Sequence, residues 1–190
     1  MGGKWVHPSI VIEGHAIVSA DGMIAGSDGA MPPGLMNQAD WRLFQADLDR
    51  AALVVLGRVG HERHPNPGRR RLVLTRGVTG LEVDAGDPLA LRWNPAGVSL
   101  VAVLAELGVA AGTVAVTGGT AVFDHVLGIG YDRFVLSTAT RTTIPDGRPC
   151  FSAGHPDAVL ARAGLQPGPA TVIDPAAGVV RVVWSRSGRP

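Results

Sequence analysis

The sequence predicts an α/β domain built around a mixed β-sheet. Three observations lead to this prediction. Short β-branched apolar runs alternate with helical patterns, two strand-like runs separated by a turn lie near the end of the chain, and glycine and proline are frequent. The 26 glycines and 14 prolines among 190 residues favour short elements and argue against a helical bundle. A chain of this length forms one domain that can bury its own core.

The first half of the chain predicts a strand, a long loop, a helix and two more strands. Ile10 to Ser19 is apolar and β-branched, which predicts a buried strand. Asp21 to Gly34 is rich in glycine and predicts a loop, and loops this long are usually functional. A helix is predicted over Asn37 to Ala51, with Asn37 as its N-cap. A basic loop containing histidines is then predicted between two buried strands, Ala52 to Leu56 and Arg71 to Thr75.

The second half predicts further strands and helices that end in a hairpin. Val78 to Gly97 carries scattered glycine, proline and aspartate, which predicts a loop with one weak strand. Ser99 is the predicted N-cap of a helix that ends at Leu107. Beyond it we expect the strands Thr113–Val116 and Arg133–Ser137, the helix Ala121–Leu127 between them, and a hairpin of Ala170–Ile173 with Val179–Trp184.

Charge and cysteine content narrow the classes of partner. The formal net charge of +1 provides no field that would favour a nucleic acid or a membrane surface. Cys150 is the only cysteine, which excludes an internal disulfide and a Cys-x-x-Cys zinc site and fits a reducing compartment. No apolar run reaches the roughly 18 residues that a bilayer span requires. We therefore expect a cytoplasmic protein, with neutral small molecules and modest anions both open as its ligands.

Two groups of residues at strand ends are candidates for binding a phosphate. Thr117 to Thr120 places two glycines between a strand and a helix, where backbone N–H groups and the helix dipole favour an anion, although such pairs often form only a tight turn. The dinucleotide fingerprint G-x-G-x-x-G is absent. Arg58 follows Gly57 at another strand end, and Arg76 follows the next strand. These arginines are either a phosphate clamp or ordinary surface residues.

Asp40 is the candidate for proton transfer. It lies in the first turn of the predicted helix, beside the apolar positions Trp41 and Phe44. Burial there would raise its pKa and suit it to proton transfer near neutral pH. The alternative is an exposed aspartate that only complements the helix dipole.

Three other chemistries lack their motifs. The run His-Glu-Arg-His from His61 lacks the i, i+4 spacing of zinc ligands on a helix, and Pro65 disfavours a helix there, so no metal is predicted. No second cysteine follows Pro149 and Cys150 at the spacing that a nucleobase deaminase needs, which excludes that activity. The G-x-S-x-G motif of acyl hydrolases is also absent.

Seven short segments, in their order along residues 10 to 151, resemble the dihydrofolate reductase superfamily, which includes the riboflavin-pathway reductases. The segments are Ser19–Ala25, Ala30–Pro32, Ala39–Trp41 with Phe44, Val54–Arg58, Pro67–Leu74, Val116–Phe123 and Phe134–Ser137. The resemblance implies a three-layer fold with a central mixed sheet and flanking helices. It also implies that NADPH donates a hydride to a C=N or C=O bond of a pteridine-like or pyrimidine-like substrate.

The resemblance further implies roles for individual residues. Asp40 stands where the family keeps the acidic residue that anchors the pterin and assists protonation, and Ser137 where a hydroxyl lies near that carboxylate. Arg58 and Arg76 would favour NADPH over NADH. The implied cofactor contacts are Ile24, Met31, Gly57, Arg58, Arg76, Gly118, Gly119, Thr120 and Ala121. The implied substrate contacts are Trp41, Phe44, Arg63 and Arg69.

The substrate and the assembly stay open at this level. A loop start of the form Ser-x-Asp-Gly-x-Ile-Ala and a polar wall over His61 to Asn66 are closer to the riboflavin-pathway reductases, whereas Asp40 and Pro-Gly-Arg point to dihydrofolate. Arg69 would grip either a folate-tail carboxylate or a ribose phosphate. The rival hypothesis is a non-catalytic member of the fold that binds a nucleotide or a pterin. The apolar C-terminal hairpin is a candidate surface for a homodimer, the common state of riboflavin-pathway reductases.

Overall fold

Ten strands form one large sheet in the computed structural model, which describes residues 9–64 and 66–187. In chain order, the strands are β1 (Ile10–Ser19), β2 (Met23–Ala25), β3 (Leu53–Gly57), β4 (Arg71–Leu74), β5 (Leu81–Asp84), β6 (Asp87–Trp93), β7 (Gly112–Val116), β8 (Arg133–Ala139), β9 (Arg148–Pro149), β10 (Leu165–Pro167), β11 (Thr171–Asp174) and β12 (Val179–Arg186). The large sheet has the order β10-β12-β8-β1-β7-β3-β4-β6-β5, with β11 beside β12.

The sheet is mixed, as the sequence predicts. Six neighbouring strands, from β8 through β1, β7, β3 and β4 to β6, run parallel. β12 and β5 join them antiparallel at the two sides, and β11 and β12 form the predicted C-terminal hairpin. β2 and β9 form a separate small sheet.

The helices lie in chain order between the strands. They are α1 (Gln38–Asp49), α2 (Arg58–Arg63), α3 (Leu100–Glu106), α4 (Thr120–Ile129) and α5 (Pro156–Arg162). No helix in the described ranges combines the length and the apolar character that crossing a bilayer requires.

Helices cover both faces of the sheet and complete three layers. α3, α4 and α5 pack on one face and contribute Val103, Val126 and Leu160 to the larger core cluster. α1 packs on the opposite face, where Leu48 meets the inner side chains of β3, β4 and β7. Under β1 and β8 that same face becomes polar, because Glu13 on β1 alternates with the core residues on either side of it.

Both predicted N-caps are confirmed. The side chain of Asn37 accepts a hydrogen bond from the backbone N–H of Asp40 at 3.0 Å, and Ser99 accepts one from Ala102 at 3.3 Å. The Asn37 amide also donates to the Asp174 carboxylate at 2.7 Å, which ties the start of α1 to β11. The N-cap therefore fixes both the start of α1 and its position against the hairpin.

The predicted loop over Val78 to Gly97 is wrong in one respect, because the region holds two paired strands instead of one weak one. β5 and β6 form an antiparallel hairpin, and β6 pairs in parallel with β4. Pro88, within β6, and the glycine turn before it obscured the pattern in the sequence. Trp93 at the end of β6 is fully buried, so tertiary burial outweighs the weak local propensity.

The predicted loop between Leu56 and Arg71 is also corrected, because it contains α2. This helix has six residues and ends at Arg63, so it stops before Pro65 restricts the backbone of His64. The sequence analysis did not predict α5 either. Pro156 at its first turn and Gly164 just beyond its end, with a φ of 86°, were usable signals.

Candidate active site

A notch opens in the sheet beside the second half of β1. β7 pairs with β1 only as far as Gly14, whereas β8 stays paired with β1 as far as Ser19. The chain leaves β7 at Thr117 and turns through Gly118 and Gly119 into α4. The notch therefore lies between this turn and the second half of β1, with β8 on the other side of β1, at the carboxyl ends of parallel strands, where α/β sheets bind their ligands.

Asp40 and Ser137 meet at this end of the sheet. Ser137 is buried on β8, and its hydroxyl donates a hydrogen bond to the carboxylate of Asp40, which is half-buried in the first turn of α1. Burial raises the pKa of Asp40, and the hydrogen bond from Ser137 and the charges of Arg181 and His15 offset that rise only in part. A carboxyl group with a raised pKa is suited to holding or delivering a proton.

The raised pKa of Asp40 predicts a cost in stability. The folded protein binds this proton more tightly than the unfolded chain, so stability falls as pH rises from the ordinary value of 3.8 through the raised folded-state value. Asp40→Asn is therefore expected to be more stable than the wild type at neutral pH and to lose that advantage at acidic pH. Urea unfolding at a series of pH values measures this. An Asn variant less stable at neutral pH would contradict the burial argument.

The turn between β7 and α4 presents bare backbone to the notch. The N–H of Gly57 donates to the carbonyl of Gly118 at 2.9 Å and so joins the ends of β3 and β7. The peptide bond between Gly118 and Gly119 is cis. Gly119 is exposed, and a Cβ built there would lie 3.7 Å from Cδ1 of Ile24, so Ile24 borders the same surface. Four predicted cofactor residues thus lie together.

The first turn of α4 continues this surface. The Thr120 hydroxyl donates to the carbonyl of Pro149 at 2.5 Å, which ties the start of the helix to β9. Ala121 is exposed. Because the first N–H groups of a helix lack helical acceptors, the positive end of the α4 dipole lies at the glycine turn.

Gly118→Ala is expected to destabilise the fold by about 2 to 5 kcal/mol. Gly118 has a φ of 95°, and a Cβ there would lie 2.7 Å from the ring of Phe123, so the variant combines backbone strain with overpacking. Gly57→Ala is the matched control. Its φ is −83° and its Cβ would lie 3.3 Å from Val122, which predicts a loss of only about 1 kcal/mol. Equal losses in urea unfolding would contradict this distinction.

Two arginines hold the glycine-rich loop by its carbonyl oxygens. Arg63, at the end of α2, donates to the carbonyl of Gly29. Arg148, on β9, donates to the carbonyl of Ser27 at 3.3 Å through both Nε and Nη2. Met31 follows the segment that these two arginines hold, and it is 41% exposed. Arg63, a predicted substrate contact, is thus bonded to the loop in this structure.

The two arginines predicted to clamp a phosphate lie on neighbouring strand ends. Arg58 and Arg76 follow β3 and β4, which are adjacent and parallel, and both are exposed. Arg58 pairs with Glu62 one turn further along α2 at 2.6 Å. An exposed pair of this kind is worth at most about 1 kcal/mol, so an anion can displace it.

Of the predicted substrate contacts, the two aromatic residues lie near Asp40, whereas Arg69 is held in an ion pair elsewhere. Trp41 and Phe44 follow Asp40 on α1, with ring centroids 5.7 Å apart, and Trp41 is 50% exposed. Arg69 pairs with Asp49 at 2.5 Å, so a carboxylate or phosphate of a substrate would have to compete with that aspartate.

The described residues contain no group of three His, Cys, Asp or Glu side chains arranged to hold a metal ion. Cys150 is fully buried, and burial raises the pKa of its thiol far above the usual range. It therefore lacks the accessible thiolate that a nucleophile needs.

A cluster of charged side chains between α1 and the sheet was not predicted from the sequence. It consists of Glu13 and His15 on β1, Asp47 on α1, Arg133 on β8 and Arg181 on β12. The available signal was spacing. Asp47 lies seven residues after Asp40, on the same face of α1, and Glu13 and His15 alternate with apolar residues in a strand.

Comparison with solved structures identifies the architecture as the dihydrofolate reductase-like fold. One similar structure is the dihydrofolate reductase of Enterococcus faecalis, complexed with NADP(H) and RAB-propyl, with a TM-score of 0.65 and 18% identity over 93% of this chain and 96% of that chain. Another is a pyrimidine reductase-like protein of Corynebacterium diphtheriae, with a TM-score of 0.66 and 14% identity over 94% of this chain and 92% of that chain.

A third is the diaminohydroxyphosphoribosylaminopyrimidine deaminase/5-amino-6-(5-phosphoribosylamino)uracil reductase of Thermotoga maritima, with a TM-score of 0.67 and 16% identity. The alignment covers 94% of this chain but 57% of that longer chain. No family model and no curated protein matches the chain by sequence. At these identities the likeness to the solved structures establishes the fold alone.

Proposed function

We propose that the protein is an NADPH-dependent reductase that transfers a hydride to a pteridine-type or pyrimidine-type substrate. The observation that carries this proposal is the pair of Asp40 and Ser137 beside the notch. It supplies one half-buried proton-handling group at the same end of the sheet as the bare backbone of Gly119. A hydride-transfer enzyme needs that division, because the cofactor supplies the hydride and the protein supplies orientation and a proton.

The residues of the notch fit a dinucleotide. Gly119 is exposed and offers backbone without a Cβ, whereas Gly118 is buried against Phe123, and Ile24 borders Gly119 with an apolar surface suited to a flat ring. Arg58 and Arg76 at the neighbouring strand ends are exposed and would bind the 2′-phosphate that distinguishes NADPH from NADH. Bound there, NADPH would supply the hydride.

The chain's own contribution is to orient the substrate and to manage one proton. The Asp40 carboxylate would accept hydrogen bonds from ring N–H groups of the substrate, while Ser137 holds its orientation. Phe44 and Trp41 would cover the ring and exclude water, and Met31 would close the site from the loop side. The raised pKa of Asp40 keeps part of its population protonated nearer neutral pH, where it can assist protonation of the reduced bond.

Both substrate candidates from the sequence remain in the proposal. They are dihydrofolate and 5-amino-6-(5-phosphoribosylamino)uracil, which share a flat ring with N–H donors that a carboxylate can bind. They differ in the tail, a carboxylate in one and a ribose phosphate in the other, and Arg69 would recognise either anion once it leaves Asp49.

The test is NADPH oxidation, followed by absorbance, with each substrate in turn and with NADH as a parallel donor. Turnover with one substrate and NADPH would support the proposal and identify the substrate. Tight NADPH binding without turnover on either substrate, in a protein whose folding is verified by circular dichroism, would favour the non-catalytic binder instead. Failure to bind NADPH at all would overturn the proposal.

A further inference from the structure

The polar cluster under α1 continues from the Asp40 site into a polar cavity. Ser137 and Arg181 are direct neighbours across β8 and β12, so their side chains share the face that α1 covers. Beyond Arg181, a cavity of about 240 Å³ is lined by Glu13, Asp47 and Arg133, among others. The cluster therefore connects the candidate catalytic carboxylate to the surface along the underside of α1.

Arg181 is bonded to one carboxylate of α1, and its charge acts on a second carboxylate of the same helix. Its guanidinium bonds to the Asp47 carboxylate at 2.5 Å, and both side chains are 15% exposed. Asp40 lies two turns earlier on the same face of α1 and is bonded to Ser137, the strand neighbour of Arg181. The guanidinium is thus fixed by Asp47 while its charge reaches Asp40.

We propose that Arg181 is a positioning residue. Its positive charge acts on both Asp47 and Asp40, and this division sets the charge state of Asp40. The structural part of this inference concerns only Asp40, Asp47 and Arg181, and its catalytic meaning rests on the proposed function. Because Asp47 holds the guanidinium, Asp40 receives only part of its stabilisation and keeps its proton to a higher pH than a directly paired aspartate would.

Every element packed against Asp40 contributes a group to this balance. α1 contributes Asp47, whose negative charge raises the pKa of Asp40. Opposing it are the hydroxyl of Ser137 from β8, the charge of Arg181 from β12 and the charge of His15 from β1. His15 itself lies close to two other carboxylates, 3.0 Å from Glu13 and 3.8 Å from Asp47.

Two substitutions are expected to move the titration of Asp40 in opposite directions. Arg181→Met removes a nearby positive charge, so Asp40 should titrate at higher pH. Asp47→Asn removes a negative charge and releases Arg181 toward Asp40, so Asp40 should titrate at lower pH. The readout is an NMR titration of the Asp40 side-chain carboxyl carbon, assigned by its disappearance in Asp40→Asn.

Arg50→Met is the matched control. Arg50 also pairs with Asp47 at 2.5 Å and lines the same cavity, but its side chain is 72% exposed, whereas that of Arg181 is 15% exposed. If the less exposed position of Arg181 matters, this variant leaves the Asp40 titration where it is in the wild type. Arg181→Lys, which keeps the charge, should shift the titration less than Arg181→Met, and a purely structural role of Arg181 would not produce that order.

The double variant Arg181→Met/Asp47→Asn removes both charges and should return the titration of Asp40 toward its wild-type position. The inference is overturned if Arg181→Met and Asp47→Asn shift the titration in the same direction, or if Arg50→Met shifts it as much as Arg181→Met. Should Arg181→Met fail to fold, the near-isosteric Asp47→Asn decides alone, because an absent or upward shift there contradicts the proposal.

The NMR titration tests the role of Arg181, and the reductase assay tests the proposed function, so either hypothesis can be overturned without the other. Opposite shifts without turnover would keep the role of Arg181 and overturn the proposed function. Turnover without opposite shifts would do the reverse. If both succeed, the pH profile of kcat should move to higher pH in Arg181→Met and to lower pH in Asp47→Asn, in step with the NMR titration.

Discussion

Asp40→Asn is expected to reduce turnover by roughly 10² to 10⁴ while NADPH binding stays unchanged, because general acid-base assistance contributes about that much. The carboxylate lies on α1, a different element from the glycine turn that would hold the cofactor, and the Asn side chain can keep the Ser137 contact. Steady-state kinetics give the turnover, and fluorescence titration gives the NADPH affinity.

Asp157→Asn is the matched control for this variant. Asp157 also lies in the first turn of its helix, but it is exposed on α5 and has no contact with the notch among the described residues. It should change turnover little. The loss in Asp40→Asn should also shrink at low pH with a substrate that solvent can protonate. Near-normal turnover of Asp40→Asn at neutral pH would mean that Asp40 only complements the helix dipole.

Replacing Arg58 and Arg76 together by alanine is expected to weaken NADPH binding by at least about 10²-fold, since charge-assisted hydrogen bonds contribute about 1.5 to 3 kcal/mol each. NADH, which lacks the 2′-phosphate, should bind almost as before. The measurement is the ratio of the two dissociation constants. Equal losses for both cofactors would contradict the assignment.

The chain offers controls for this prediction in both directions. Arg70→Ala removes an exposed arginine at the opposite end of β4, where Arg70 donates to the carbonyl of Leu107, and it should leave the ratio unchanged. Glu62→Gln removes the partner of Arg58 and should strengthen NADPH binding. A loss of NADPH affinity in Glu62→Gln would mean that Arg58 needs its ion pair to reach the phosphate.

The parts of the fold that local sequence patterns determine were predicted correctly. β1 follows from its apolar run, the start of α1 from Asn37, and the proximity of Asp40 to Ser137 from the family resemblance, which the hydrogen bond between them matches in geometry. In each case the signal lies within a few residues or within a known order of motifs.

The parts that depend on tertiary neighbours were not predicted. β6 becomes a strand because it pairs with β4 and buries Trp93, although Pro88 weakens its local propensity. The bond between Asp47 and Arg181 joins residues 134 positions apart, and no local pattern around either residue predicts its partner. For the same reason the engagement of Arg63 by the glycine-rich loop could not be read from its position in a basic run.

The order of strands in the large sheet also determines which strands lie at its edges, where copies of the protein could aggregate by adding a strand. Its edge strands are short: β10 has three residues and includes Pro167, β11 has four residues, and β5 has four and carries the charges of Glu82 and Asp84. Short, charged or proline-bearing edges offer a poor template for adding a strand from another molecule. The long apolar strands are thereby shielded from aggregation, and any homodimer would have to form through side chains such as the exposed Val172 and Val183 of the hairpin.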